Sequence, residues 1–112
     1  MELKDTSFVV VDGNKQQKVK CYTFHCKEFD RDLIIHENTD NKNHTSVSDK
    51  KTGYRIFGLP VKPDKVKLED LKEPLEKFIK HFTMESIIIE FKRIEDLQKK
   101  EQISETVDIP NS

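Results

Sequence analysis

Two hydrophobic periods share this chain, and they change over near Pro60 and Pro63. Upstream, apolar and polar positions alternate between turn signals, which is the two-residue period of half-buried strands. Downstream, apolar residues return every three or four positions, as on one face of a helix. Strands followed by helices predict a single α+β domain. Its N-terminal antiparallel β-meander of four to five short strands should pack against one or two C-terminal helices.

Ser7 to Val11 reads as the first strand, closed by the hairpin signal Asp12-Gly13. Lys18 to Cys26 alternates cleanly, with Val19, Cys21, Thr23 and His25 on one side and Lys18, Lys20, Tyr22, Phe24 and Cys26 on the other. Asp32 to Glu37 is a shorter third strand, followed by a polar, Asn-rich loop. Thr45 to Ser48 then pairs with Tyr54 to Leu59 around a turn ending in Gly53, where a positive φ is expected.

Leu68, Leu71, Leu75, Phe78, Ile79 and Phe82 form a helical stripe. Proline inside a helix costs about 3 kcal/mol. Pro74 therefore predicts an irregular first turn or a bend near Glu73, with a firm helix from Pro74 to Phe82. Over residues 83–102 two signals compete. The isoleucines at 87, 88 and 89 favour a strand by propensity. The spacing of Met84, Ile87, Ile88, Phe91 and Ile94 instead traces a helical stripe, with Thr83 as N-cap and Glu85 in the first turn. A pattern lasting three turns outweighs propensity, so a second helix is expected and a final strand is the alternative. Residues 1–102 form the expected domain, and 103–112 read as a flexible C-terminal tail.

Charge is abundant but balanced, with 20 basic and 21 acidic side chains spread over both halves of the chain. Neither half has the positive field that draws proteins to phosphate backbones, which argues against general nucleic-acid binding. The apolar runs are far shorter than the roughly 20 residues that span a bilayer, and no secretory signal opens the chain. A cytoplasmic location without membrane contact is expected. There is no alanine, and lysine far outnumbers arginine. Alanine codons are GC-rich and lysine codons AT-rich, so the composition suggests a phage or other mobile element of an AT-rich genome.

Candidate chemistry is sparse. Cys21, His25 and Cys26 invite a zinc or redox reading, but on one strand Cys21 and Cys26 face opposite sides and lie too far apart for a disulfide. No metal or cofactor is expected. Ser48-Asp49-Lys50-Lys51 and Lys51-Thr52-Gly53 match β-lactamase motifs, yet they share Lys51 within one hairpin turn, where that chemistry has no room. Glu28, Asp30 and Asp32 alternate along what should be an extended segment, a weak partner-binding acidic edge. An enzyme would need His25 or His36 to meet one of Glu28, Asp30, Asp32 or Glu37 in a concave pocket.

The leading function from sequence is a small non-enzymatic protein-interaction or regulatory module. Another protein is its expected partner, and a homo-oligomer is compatible with the sequence. The alternative is single-stranded nucleic-acid binding by a basic and aromatic sheet face comprising Lys18, Lys20, Tyr22, Arg55 and Phe57. The same sheet needs one face for a core, and Tyr22, Phe24 and Phe57 are its candidates too.

Overall fold

The computed structural model of the protein describes residues 1–12 and 15–108, with side chains described as far as Lys99. Five strands come first: β1 (Asp5–Val11), β2 (Lys15–Cys26), β3 (Arg31–Glu37), β4 (Thr45–Asp49) and β5 (Arg55–Leu59). Two single 3-10 turns, Pro63–Lys65 and Leu68–Leu71, lead into helix α1 (Lys72–Phe82) and helix α2 (Met84–Asp108). Sheet order follows chain order, and every neighbouring pair is antiparallel. The α+β meander expected from the period change is the architecture observed, with both C-terminal helices present.

The sheet is not flat. β1 and β5 stand at opposite ends of it, yet the Val10 N–H donates to the Gly53 carbonyl at 2.8 Å. The 12-residue β2 twists far enough to carry β1 back over the rear of the sheet. Gly53 makes that approach possible. Its φ is 77°, and a Cβ there would lie 2.9 Å from the Phe8 carbonyl oxygen. Any side chain at this position meets both backbone strain and the backbone of β1.

Both faces of the sheet are therefore buried over part of their extent. On the front, Leu33, Ile35 and Val47 pack beneath the helices with Cys26, Phe29, Leu71, Ile87 and Phe91. On the rear, Val9, Cys21 and Ile34 form a second cluster under the returning β1. Leu33, Ile34 and Ile35 are each fully enclosed, which three consecutive apolar residues on a strand require only when both faces are covered. Cys21 and Cys26 are free and buried in different clusters, as the alternation implied. Burial pushes the Cys26 thiol up to about 11 and also raises that of Cys21, so both stay protonated at neutral pH.

The helices follow their sequence signals with two departures. Pro74 falls in the first turn of α1, where its missing N–H has no intrahelical acceptor to lose. The 3-10 turn before it is started by Asp70, whose carboxylate accepts the Lys67 N–H at 2.9 Å. Thr83 alone separates the two helices, with φ 64°, and its hydroxyl caps α2 by accepting the Ser86 N–H at 3.3 Å. The stripe expected on α1 is narrower than it reads, because Leu68 and Phe82 are exposed. On α2, Ile87, Phe91 and Ile94 are buried while Ile88 is 54 % and Ile89 60 % exposed. A helix 100° per residue cannot turn three successive side chains to one side. The strand alternative for this segment is replaced by the helix. α2 runs to Asp108, and the rest of the tail expected over 103–112 lies outside the described residues.

One polar cluster ties α2 to the sheet. Arg31 donates from Nε and Nη2 to the two oxygens of Asp49 at 2.8 and 2.9 Å, and from Nη2 to Glu95 at 2.8 Å. Asp49 also accepts from the Thr52 N–H and hydroxyl, while Gln98 reaches back to the Thr52 carbonyl. Burial would raise the carboxyl of Glu95, but hydrogen bonds from Arg31 and Lys51 outweigh it and hold that group below its ordinary range.

Candidate functional site

The curl of the sheet leaves a cavity on its rear face, about 600 Å³, between β1 and the strands β3, β4 and β5. Val9 and Val11 wall one side; His36, Ser46 and Ser48 wall the other, with Asn38 and Asp40 of the polar loop at one end. The pairings His36↔Ser46 and Ser46↔Gly58 place those positions side by side across three strands. A register shift between Val47 and Ser48 puts Ser48 opposite Arg55 and leaves Ile56 as the extra residue of a bulge. The bulge is what brings Arg55 to this face.

His36 is the organising group of the wall. Its Nδ1 lies 2.8 Å from the Glu37 carbonyl oxygen and its Nε2 2.8 Å from the Ser48 hydroxyl. The carbonyl can only accept, so Nδ1 carries the proton and Nε2 accepts from Ser48. Burial lowers the pKa of His36, the bond to Glu37 offsets part of that, and the Arg55 charge lowers it further. A neutral imidazole facing a serine hydroxyl is the geometry of a general base and its nucleophile. Here Ser48 is 1 % exposed, so its hydroxyl is committed to the histidine and the pair satisfies two buried polar groups.

This environment has a pH signature. Unfolded His36 takes up a proton near pH 6.5, whereas folded His36 does so only at lower pH. Between those values the unfolded chain binds the extra proton, so the contribution of His36 to stability is level above about pH 6.5 and declines as pH falls below it. His25 acts with the opposite sign, because its pKa is raised, chiefly by the hydrogen bond to Asp32. Urea unfolding at about pH 7.5 and 5.5 should show a smaller loss of stability on acidification for His36→Gln than for wild type. Equal losses would mean that the imidazole is not held neutral.

The structure separates the residues proposed for single-strand binding. Tyr22 and Phe57 pack their rings against the front core beneath the helices, and so does Phe24. Arg55 lies on the rear, beside Ser48. Lys18 and Lys20 are exposed on β2 opposite Phe8 and Thr6 of β1. The five residues do not share one surface.

The acidic edge is also rearranged. Residues 27–30 form a turn, with Asp30 at φ 51°, so Glu28 and Asp30 do not lie on an extended segment with Asp32. Glu28 accepts from the Cys26 thiol at 3.2 Å. Asp32 and Asp30 instead bracket His25, at 3.0 Å from Nδ1 and 3.2 Å from Nε2, on an open surface. The two carboxylates favour the protonated ring, and the hydrogen bond to Asp32 is the main cause of its raised pKa. Among the described residues no three His, Cys, Asp or Glu side chains are grouped as metal ligands.

A second concavity, about 270 Å³, lies on the front between the start of β5 and the α1–α2 joint. Arg55, Ile56, Phe78, Ile87 and Phe91 line it, together with the exposed Tyr54 and Phe82. Phe82 is 49 % exposed, yet its ring is already ordered by Phe78 at 4.9 Å and His81 at 4.5 Å between centroids. No single motif marked either concavity in the sequence, since each is assembled from separate strands and helices. Among the described residues no helix is long and apolar enough to cross a membrane. No protein-family model, curated protein or solved structure matches the chain.

Proposed function

We infer that this protein is a non-enzymatic protein-interaction module, and that its partner docks an extended peptide segment beside β5. One observation carries the reading: an apolar groove with a preordered, half-exposed Phe82 runs beside a strand at the edge of the sheet. Among the described residues β5 pairs only with β4, so its outer N–H and C=O groups face away from the ladder. An added strand takes affinity from such an edge, and alternate side chains entering a groove supply selectivity. The groove is lined mainly by carbon; of its two charged lining residues, Glu90 is paired with Arg93, and Arg55 lies between this groove and the rear cavity. The fitting occupant therefore brings an aliphatic or aromatic side chain. Ordering Phe82 in advance removes part of the entropy that binding would otherwise require. An accessory or regulatory role, in a phage or other mobile element of an AT-rich genome, suits the composition and this surface.

Selection from a displayed library of random linear peptides tests this. Wild-type protein should enrich peptides with a recurrent Leu, Phe or Met, and Phe82→Asp, still folded by circular dichroism, should bind them at least roughly tenfold more weakly. N-methylation of alternate backbone amides in an enriched peptide should abolish binding. Absence of enrichment, or binding indifferent to Phe82→Asp, would overturn the reading. A wild-type dimer in sedimentation that Phe82→Asp converts to monomer would assign the groove to a second copy instead.

A further inference from the structure

We propose that the rear cavity is a binding site for a small zwitterion, a free α-amino acid with an apolar side chain, whose carboxylate is held by Arg55. Of the three arginines in the chain, Arg31 is paired with Asp49 and Glu95 and Arg93 with Glu90. Arg55 has no carboxylate within ion-pair distance among the described residues. Its guanidinium is nonetheless given a definite seat. A Cβ on Gly58 would fall 2.3 Å from Arg55 Nη2, so the guanidinium rests on bare backbone of β5. The absence of a side chain at residue 58 is what lets the cation lie along the cavity wall. A planar fork of donors facing an open cavity matches the two oxygens of a carboxylate.

The rest of the cavity selects among carboxylates. Asp12 and Asp40 line it, and neither has a cationic partner within ion-pair distance among the described residues. One cation and two anions repel a multiply charged solute such as phosphate. They complement a ligand that carries an ammonium group with its carboxylate. Val9 and Val11 supply an apolar wall for the ligand's own side chain. A volume of about 600 Å³ falls within the range of small-ligand sites, roughly 300–1,000 Å³. Arg55 also reaches the lining of the front groove, whereas Phe82 lines only that groove, so Phe82→Asp should leave leucine binding unchanged and separates this site from the peptide-docking reading.

Titration of isotopically labelled protein, followed by amide shifts at Val9, Val11, Ser46 and Gly58, tests the assignment. The probes are L-leucine, 4-methylpentanoate (no ammonium), 3-methylbutylamine (no carboxylate) and inorganic phosphate. L-Leucine should give saturable shifts, and each of the other three should bind at least roughly tenfold more weakly. Arg55→Gln should abolish the leucine shifts, and Gly58→Ala, which displaces the guanidinium while keeping its charge, should weaken them severalfold. Arg93→Gln, an arginine paired elsewhere, should leave them unchanged. Three results would overturn the proposal: no saturable leucine shift at about 20 mM, equal binding of 4-methylpentanoate or phosphate, or undiminished leucine binding by Arg55→Gln.

Discussion

Asp49→Ala is expected to lower the unfolding free energy by about 3–5 kcal/mol, the loss typical when one member of a buried ion pair is removed. The Asp49 side chain is 0 % exposed and accepts hydrogen bonds from Arg31 Nε, Arg31 Nη2, the Thr52 N–H and the Thr52 hydroxyl. Truncation leaves the Thr52 groups buried without an acceptor, and Arg31 with Glu95 alone. Against a total of about 5–15 kcal/mol for a domain of this size, that is a large fraction. The melting temperature should fall by roughly 15 °C or more. Asp49→Asn should lose less, because its amide oxygen can still serve Thr52 while its amide nitrogen cannot accept from the guanidinium. Urea unfolding of the two variants checks the order. A wild-type-like melt for Asp49→Ala would show that the cluster does not hold α2 to the sheet.

Phe91→Ala should be comparably damaging, at about 3–5 kcal/mol, through lost burial and the cavity left behind. The ring is 7 % exposed, meets Phe29 edge-on at 5.9 Å between centroids, and lies under the Arg31 guanidinium at 4.4 Å. Its removal therefore also strips a cation–π contact from the Asp49 cluster. Phe91→Leu refills most of the volume and should cost less than half as much. Both should shift the urea midpoint with little change in slope, the mark of lost stability rather than a changed folded state. A Phe91→Ala loss under about 1 kcal/mol would mean that this face of α2 is not docked on the sheet.

Because the two predictions share Arg31, the double variant should lose less than the sum of the single losses. That coupling also marks the limit of sequence reading. Ile87, Phe91 and Ile94 were legible as one helical face because their spacing is local, although the stripe read with them included Ile88, which faces solvent. Arg31, Asp49 and Glu95 were not legible as a cluster, because strand pairing and helix docking bring together positions far apart in the chain. The same holds for the rear cavity. Arg55 could be read as a basic residue on a strand, but only the bulge at Ile56 decides which face receives it. His36 and Ser48 could be read only as polar residues of two strands until the register set them 2.8 Å apart.

The class and order of the elements follow from signals between neighbouring residues. Alternation in β2, the turn at Gly53, the capping hydroxyl of Thr83 and the helical stripes are local constraints, enforced by the geometry of neighbouring residues. Leu33, Ile34 and Ile35 are consecutive on β3, so each face of that strand receives an apolar side chain. What covers the second face depends on contacts between residues far apart in the chain. The cumulative twist of a long β2 folds β1 over the rear, and a Gly53 without a Cβ accepts the contact. On the front the helices cover Tyr22 and Phe57, and the bulge in β5 sets Arg55 over Gly58 at the wall of the rear cavity. Twist and register sum over many residues, and a change of one residue in register reverses the face of every side chain that follows.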